Sequence, residues 1–416
     1  MGSFNTFKFS ELYKMSSGIS SNPEQAGHGS PFLSFSTIFN NYFIPEELTD
    51  YMNSSKEEQE KYSIKKGDVF LTRTSETLNE LAMSSVSLKD YPEATFSGFA
   101  KRLRPIQKEI TYEKFMGFYL RSEYFRKIIN NNATMTLRAS FNENIFSYLK
   151  VHLPDYQTQM KIGDFLFELE EKKILNNKIN KELEKLAKTI YDYWFVQFDF
   201  PDKNGKPYKT SGGKMEWNDK LGREIPVGWT DGVLSDIANI TMGQSPPGES
   251  YNKKGEGMIF FQGCTDFGNR FPITRQFTTQ PKRFAKEGDI LLSVRAPVGT
   301  LNVAKENCCI GRGLAALNSK DNCIAYLFGA MTDLKQIFDR RNVDGTTFGS
   351  ITKDDLFSLK VVKPDKDILN QYQKTMNPVF EKQNKIELEN QQLSELRDWL
   401  LPMLMNGQVE VAGLEN

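Results

Sequence analysis

SFNENIFSYLKVHLPD, from Ser140 to Asp155, returns in altered form as SITKDDLFSLKVVKPD, from Ser350 to Asp365. The serine, the Leu-Lys-Val step and the Pro-Asp ending keep their places across an offset of 210 residues. Outward from these stretches, KKGDVFLTR (Lys65–Arg73) precedes the first and KEGDILLSVR (Lys286–Arg295) the second. Both read as a Gly-Asp turn followed by a short apolar strand that ends on arginine. In the closing stretches Ser140 and Ser350 are expected to cap a short helix, after which an apolar strand ends at proline. A chain that repeats on this scale holds two copies of one folding unit.

Each copy runs into a long helical pattern. After Pro154, apolar residues recur at Ile162, Phe165, Leu166 and Leu169, then at Ile179, Leu183, Leu186, Ile190 and Tyr193 in a 4-3-4-3 spacing. After Pro364 the stripe is Tyr372, Met376, Val379, Ile386, Leu393 and Leu400, with Gln383 and Asn390 on the same face. Pro378 is expected to kink or restart this second helix. A continuous helix of about 38 residues is roughly 57 Å long. Two such helices can bury matching stripes against each other, and antiparallel pairing would give pseudo-twofold symmetry. The expected fold is therefore α+β: two mixed domains in tandem repeat, separated by two long antiparallel coiled-coil helices. The expected divisions are a first globular domain over 1–155, a central helix over 156–198 and a linker over 199–228. A second domain over 229–366, a C-terminal helix over 367–405 and a tail over 406–416 follow.

A chain of 416 residues exceeds one ordinary core, which agrees with two domains. Its 39% hydrophobic and 12% aromatic content suits folded domains. No apolar run reaches the roughly 20 residues of a membrane span, so no membrane association is expected. The opening MGSFNTFKFS lacks the basic and apolar blocks of a secretory signal. It does fit the loose Met-Gly-x-x-x-Thr acylation pattern, one short enough to be matched by chance. Cys264, Cys308, Cys309 and Cys323 form no C-x-x-C pair, and His28 and His152 lie far from them, so no metal site is expected. Reduced thiols and a cytoplasmic location follow as expectations. Fifty-three basic residues balance 53 acidic ones, but the balance is local. Ser97 to Ser140 carries nine Lys/Arg against three Glu, and Arg270 to Arg312 carries eight against three.

This layout resembles the specificity subunits of type I restriction-modification systems over nearly the whole chain. The stretch Tyr193–Trp229, ending in Pro-Val-Gly-Trp, looks like the linker between the family's central helix and its second recognition domain. DIANITMGQSPPGESYN (Asp236–Asn252) and KMSSGISSNPEQAGHGSPFLSF (Lys14–Phe35) resemble the openings of target recognition domains, and LRDWLLPMLMNGQV (Leu396–Val409) the closing helix and tail. The resemblance departs at the start, where the first unit begins close to Met1 without the lead-in seen before Trp229. It implies two target recognition domains, each reading half of a split, asymmetric site on double-stranded DNA. It further implies helices that set the unread spacer and dock two methyltransferase subunits, through which restriction, DNA-translocating subunits join.

The residues offer little to catalysis and no cofactor site. An adenine methyltransferase needs Asn/Asp-Pro-Pro-aromatic at the flipped base, whereas the only Pro-Pro step is Ser245-Pro246-Pro247-Gly248. A phosphate loop needs G-x-x-x-x-G-K-[ST]; Gly213-Lys214 is followed by Met215 and has Tyr208 in place of the first glycine. Gly311-Arg312-Gly313 is a glycine-motif fragment without its third glycine. For DNA contact, polar side chains on a rigid frame are required. Thr72, Arg73, Arg138 and Ser140 are the candidates in the first domain. Gln244, Ser245, Arg295, Arg340, Thr346 and Thr347 are those in the second. Lys101, Arg102, Arg104, Lys282 and Arg283 suit phosphate neutralisation. Tyr191, Trp194, Phe195, Trp399 and Leu400 are the candidates for partner docking, because large rings dominate interfaces. The competing functions are a coiled-coil scaffold without DNA and a self-contained restriction-modification enzyme.

Overall fold

The computed structural model describes residues 4–20, 22–77, 80–132, 139–343, 350–409 and 411. The chain forms two compact units, Met1–Ile174 with Gln391–Asn416, and Leu175–Asn390. Each is built on a four-stranded antiparallel sheet. In the first unit the order is Tyr13–Ser17, Ala100–Pro105, Val69–Thr72, Ser84–Val86. In the second it is Ala238–Met242, Leu314–Ser319, Ile290–Ser293, Leu301–Val303. The registers correspond: Val69 faces Leu103 as Ile290 faces Leu317, and Tyr13 faces Pro105 as Ala238 faces Ser319. A separate antiparallel pair closes each unit, Asn5–Lys8 on Lys150–Leu153 and Thr230–Val233 on Lys360–Lys363. The repeat in sequence is a repeat of topology.

The Gly-Asp signature has a physical cause. Gly67 and Gly288 adopt φ of +85° and +83°, a region that L side chains disfavour. The turn then closes by N–H donation from Asp68 to the Lys65 carbonyl and from Asp289 to that of Lys286, both at 3.0 Å. Each aspartate carboxylate accepts back from the lysine N–H at 2.8 Å. A glycine in each domain opening, Gly18 and Gly243, answers a close approach. A Cβ on Gly18 would lie 2.3 Å from the Ser97 carbonyl oxygen, and one on Gly243 would lie 2.1 Å from that of Gly311.

The helix caps differ from expectation. Asn142 and Thr352, not Ser140 and Ser350, accept from the N–H three residues on and start the helices Glu143–Tyr148 and Lys353–Phe357. The serines are instead held in extended pairing, Ser140 opposite Thr74 and Ser350 opposite Arg295.

The long helices span Tyr156–Tyr191, followed by a π-helical turn over Asp192–Val196, and Lys366–Met405. The second continues through Pro378. Proline removes one hydrogen bond, and buried Tyr372, Met376, Gln383 and Ile386 hold the turns on both sides of it. Within the second unit the helices run antiparallel, with Asn176 meeting Asn390 and the Trp194 ring 5.3 Å from that of Tyr372. Their seam is more polar than the apolar stripe implied. Asn176, Asn180, Gln383, Glu387 and Asn390 are buried, while Leu186 is 46% exposed. Asn176 donates to Asn390 Oδ1 at 3.0 Å and to Glu389 Oε2 at 2.8 Å, and Asn390 donates to Asn177 Oδ1 at 2.9 Å. Such a network fixes register at some cost in stability.

The first unit's main core gathers Phe9, Phe115, Phe118, Phe125 and Leu166, and Leu401, Leu404 and Met405 complete it. The second unit's gathers Trp194, Phe195, Trp229, Tyr326, Tyr372 and Met376. The stretch expected as a linker carries the hairpin Met215–Asn218 and Arg223–Pro226, and its Phe200 and Ile225 enter that core.

Candidate nucleic-acid interface

In the first unit the strand Val69–Thr72 delivers Arg73 to the surface. The Arg73 N–H donates to the Phe99 carbonyl, and its own carbonyl accepts from the Phe141 N–H, both at 2.8 Å. A cleft of about 310 Å³ beside it is lined by Arg73, Lys101, Ser140, Asn142, Glu143 and Asn144, among others. Three residues singled out from distant parts of the sequence thus meet at one place. Lys101 donates from Nζ to Ser17 Oγ at 2.7 Å. Burial first, and the neighbouring Arg73 second, hold its ammonium below the ordinary lysine range, against an opposing pull from Glu143.

The other first-unit candidates serve the fold. Thr72 is fully buried, and its hydroxyl accepts from the Met83 N–H at 2.9 Å. Arg102 is buried, donates to the Ser63 carbonyl at 2.5 Å and lies over the Phe96 ring. Arg104 grips Asp68 through Nε at 2.7 Å and Nη2 at 2.6 Å. A charge on a sheet's inner face must find such partners, so these two arginines are not the phosphate-facing pair expected from charge counting. Arg138 lies outside the described residues.

In the second unit Gln244 is exposed beside Ser245, whose hydroxyl donates to Gln262 Oε1 at 3.0 Å and accepts from the Arg312 N–H at 3.4 Å. Gln262 and Arg312 are also exposed. Neither was legible as a candidate: Arg312 sits in what reads as a glycine-motif fragment, and Gln262 in no motif. Lys282 and Arg283 are exposed next to the strand Phe284–Ala285. Arg340 belongs to the helix Ile324–Val343, and Thr346 and Thr347 lie outside the described residues.

Arg295 is exposed, but it is not the positional equal of Arg73. The Phe141 N–H donates to the Arg73 carbonyl, whereas the corresponding Ile351 N–H donates to Val294 at 2.8 Å. The second strand has one residue more between its Gly-Asp and its arginine. Arg295 therefore stands where the first unit has Thr74, and successive strand side chains point to opposite faces.

Among the docking candidates, Tyr191, Trp194 and Phe195 are buried in the second unit's core, the last with its ring 4.7 Å from Tyr326. Trp194 and Phe195 belong to the π-helical turn, and Tyr191 ends the α-helix before it. Leu400 packs half-buried against the first unit's core, and Trp399 is 65% exposed. Burial pushes the Cys308 thiol up to about 12 and that of Cys323 up to about 11, which keeps both protonated. Among the described residues, no three His, Cys, Asp or Glu side chains are grouped to hold a metal.

A family model for the type I restriction modification DNA specificity domain matches residues 2–185 and 226–398. A Methanocaldococcus jannaschii protein, assigned as the MjaX type I restriction enzyme specificity subunit, is 28% identical over 95% of this chain and 90% of its own length. The HindI specificity subunit of Haemophilus influenzae is 23% identical over 91% of this chain and 94% of its own. A type I restriction-modification S subunit from M. genitalium, of known crystal structure, matches with a TM-score of 0.55 at 14% identity, covering 97% of this chain and 96% of the other. That likeness is one of fold.

Proposed function

The chain belongs to the type I restriction modification DNA specificity family, and on that premise we propose where it holds DNA and what it assembles with. It supplies DNA sequence specificity to a type I restriction-modification enzyme, in a family that is itself non-catalytic. The first unit reads one half-site along the edge formed by Arg73, Lys101 and Ser140. The single observation behind this reading is that these three line one cleft. Arg73 is the base-reading side chain, since an exposed guanidinium can pair with two guanine acceptors. Lys101 takes a phosphate and Ser140 fixes the approach.

The second unit reads the other half through Gln244, Ser245 and Arg295, joined by Gln262 and Arg312. Lys282 and Arg283 supply its phosphate contacts. Two methyltransferase subunits dock on the helices, with Trp399 as one anchor, and restriction subunits join through them. Its place in the cell is the cytoplasm, with the DNA that it reads.

The test is single-molecule sequencing of methylated DNA from a host expressing this chain with its neighbouring methyltransferase gene, and from one lacking this chain. Modified adenines in one split, asymmetric motif that vanish without the chain support the reading. An unchanged pattern sinks it and moves the scaffold function forward.

A further inference from the structure

Two clefts flank the end of the first unit's Arg73 strand. Arg73 lines the cationic one, and the next two residues, Thr74 and Ser75, line the other. This second cleft, about 430 Å³, is formed by Phe35, Phe39 and Phe99 with Thr74, Ser75, Glu76 and Glu80. The rings of Phe35 and Phe39 stack at 6.0 Å. Phe99 is 68% exposed, and its carbonyl takes the Arg73 N–H, which ties the ring to the arginine's position.

The second unit removes this feature on the same frame. Val294 donates to the Gly313 carbonyl at 2.9 Å as Arg73 does to Phe99, so Gly313 occupies the place of Phe99. A Cβ there would lie 2.6 Å from the Gln262 carbonyl oxygen, and no ring can be accommodated. One unit therefore presents a phenylalanine at this turn where the other presents glycine beside Arg312.

An apolar ledge rimmed by carboxylates and hydroxyls is unsuited to phosphate. It suits a major-groove base edge that carries a methyl group and, beyond the intervening carbonyl oxygen, an amino donor, which is what an A·T pair displays. We propose that Phe99, with Phe35 and Phe39, receives the 5-methyl group of a thymine in the half-site read by the first unit, a proposal that rests on the placement of DNA along the Arg73 edge. The adjoining carboxylates then face the amino group of the paired adenine.

The experiment uses the complete methyltransferase complex and duplexes carrying the motif found by methylation sequencing, with each thymine in turn replaced by uracil. One position in the half whose binding responds to Arg73→Ala is expected to lose affinity on the order of fourfold, the worth of one buried methyl. Phe99→Ala abolishes that uracil penalty, Phe99→Leu retains part of it, and thymines of the other half respond to neither variant. Uracil without effect in that half, or a penalty unchanged in Phe99→Ala, overturns the proposal. So does loss of the methyltransferase from Phe99→Ala with unaltered DNA affinity in complexes that remain, because the ring would then be a protein contact. If Arg73→Ala itself leaves DNA affinity unchanged, the DNA placement fails as well; if it weakens binding while uracil does nothing, the methyl assignment alone falls.

Discussion

Arg104 and Asp68 form a two-pronged ion pair at 2.7 and 2.6 Å, with the carboxylate fully removed from water. At the corresponding place in the second unit, Asp289 is met by the neutral amide of Asn318 at 2.7 Å. The same turn is thus secured by a charge pair in one unit and by an amide in the other.

Removing one partner tests the difference. Arg104→Ala leaves a buried carboxylate without its counter-ion and is expected to cost the first unit about 3–5 kcal/mol. Asn318→Ala removes a hydrogen bond to a charged group and is expected to cost the second unit about 1–3 kcal/mol. Denaturant unfolding, followed by hydrogen exchange in each unit, measures both. Equal losses would mean that the ion pair adds nothing beyond a hydrogen bond.

Arg73→Ala and Lys101→Met are expected to separate reading from gripping. The first should weaken binding by about 1–3 kcal/mol at the cognate half-site and relax its preference for one base. The second should weaken cognate and non-cognate duplexes alike and reduce the slope of log affinity against log salt by about 0.9. Titrations at several salt concentrations decide between these behaviours.

The depressed ammonium of Lys101 makes a pH prediction. Folding lowers its affinity for protons, so its charged form costs stability at neutral pH, and that cost disappears as pH rises through the depressed value toward the ordinary 10.5. A phosphate beside it favours the charged form again. DNA binding therefore takes up protons in the window between the free and bound values, and affinity falls as pH rises through it. Lys101→Arg, which stays charged, should be flat over the same alkaline range.

Asn390→Leu is expected to destabilise the second unit by about 1–3 kcal/mol, because it strips buried Asn176 of a partner. Adding Asn176→Leu should recover part of that loss by replacing amides with packed carbon. A double variant less stable than the single one would contradict a simple seam between the helices.

Trp399→Ala should leave the folding midpoint within the usual range for surface substitutions, about 0.5 kcal/mol, since the ring is 65% exposed. Its effect should appear in assembly, as a loss of about 2 kcal/mol or more in affinity for the methyltransferase subunit. Sedimentation of the mixed subunits would show it.

The repeated architecture was legible because Gly67-Asp68 and Gly288-Asp289 impose a backbone turn that few other residues satisfy. Local charge was less informative. Arg102 and Arg104 count toward a basic patch, yet strand alternation turns them inward, where Ser63 and Asp68 hold them. Tyr191, Trp194 and Phe195 read as surplus to a two-helix seam, yet all three enter the core, the last two from a π-helical turn. Phe99 and Arg312 carry no motif of their own, because what places them beside the candidate residues is contact with Arg73 and Ser245, 26 and 67 positions away. The pairing of Arg73 with Arg295 failed by one residue, since an inserted position leaves composition unchanged while reversing a strand's faces.

The three side chains that complete the first unit's core, Leu401, Leu404 and Met405, come from the far end of the second long helix. During synthesis, Leu175–Asn390 can emerge and close around its own core while the first unit still lacks these residues. The earlier-made half is thus the later-finished one. A ribosome that stalls before residue 401 would release a chain with a whole second unit and an open first one, a ready substrate for chaperones and proteases.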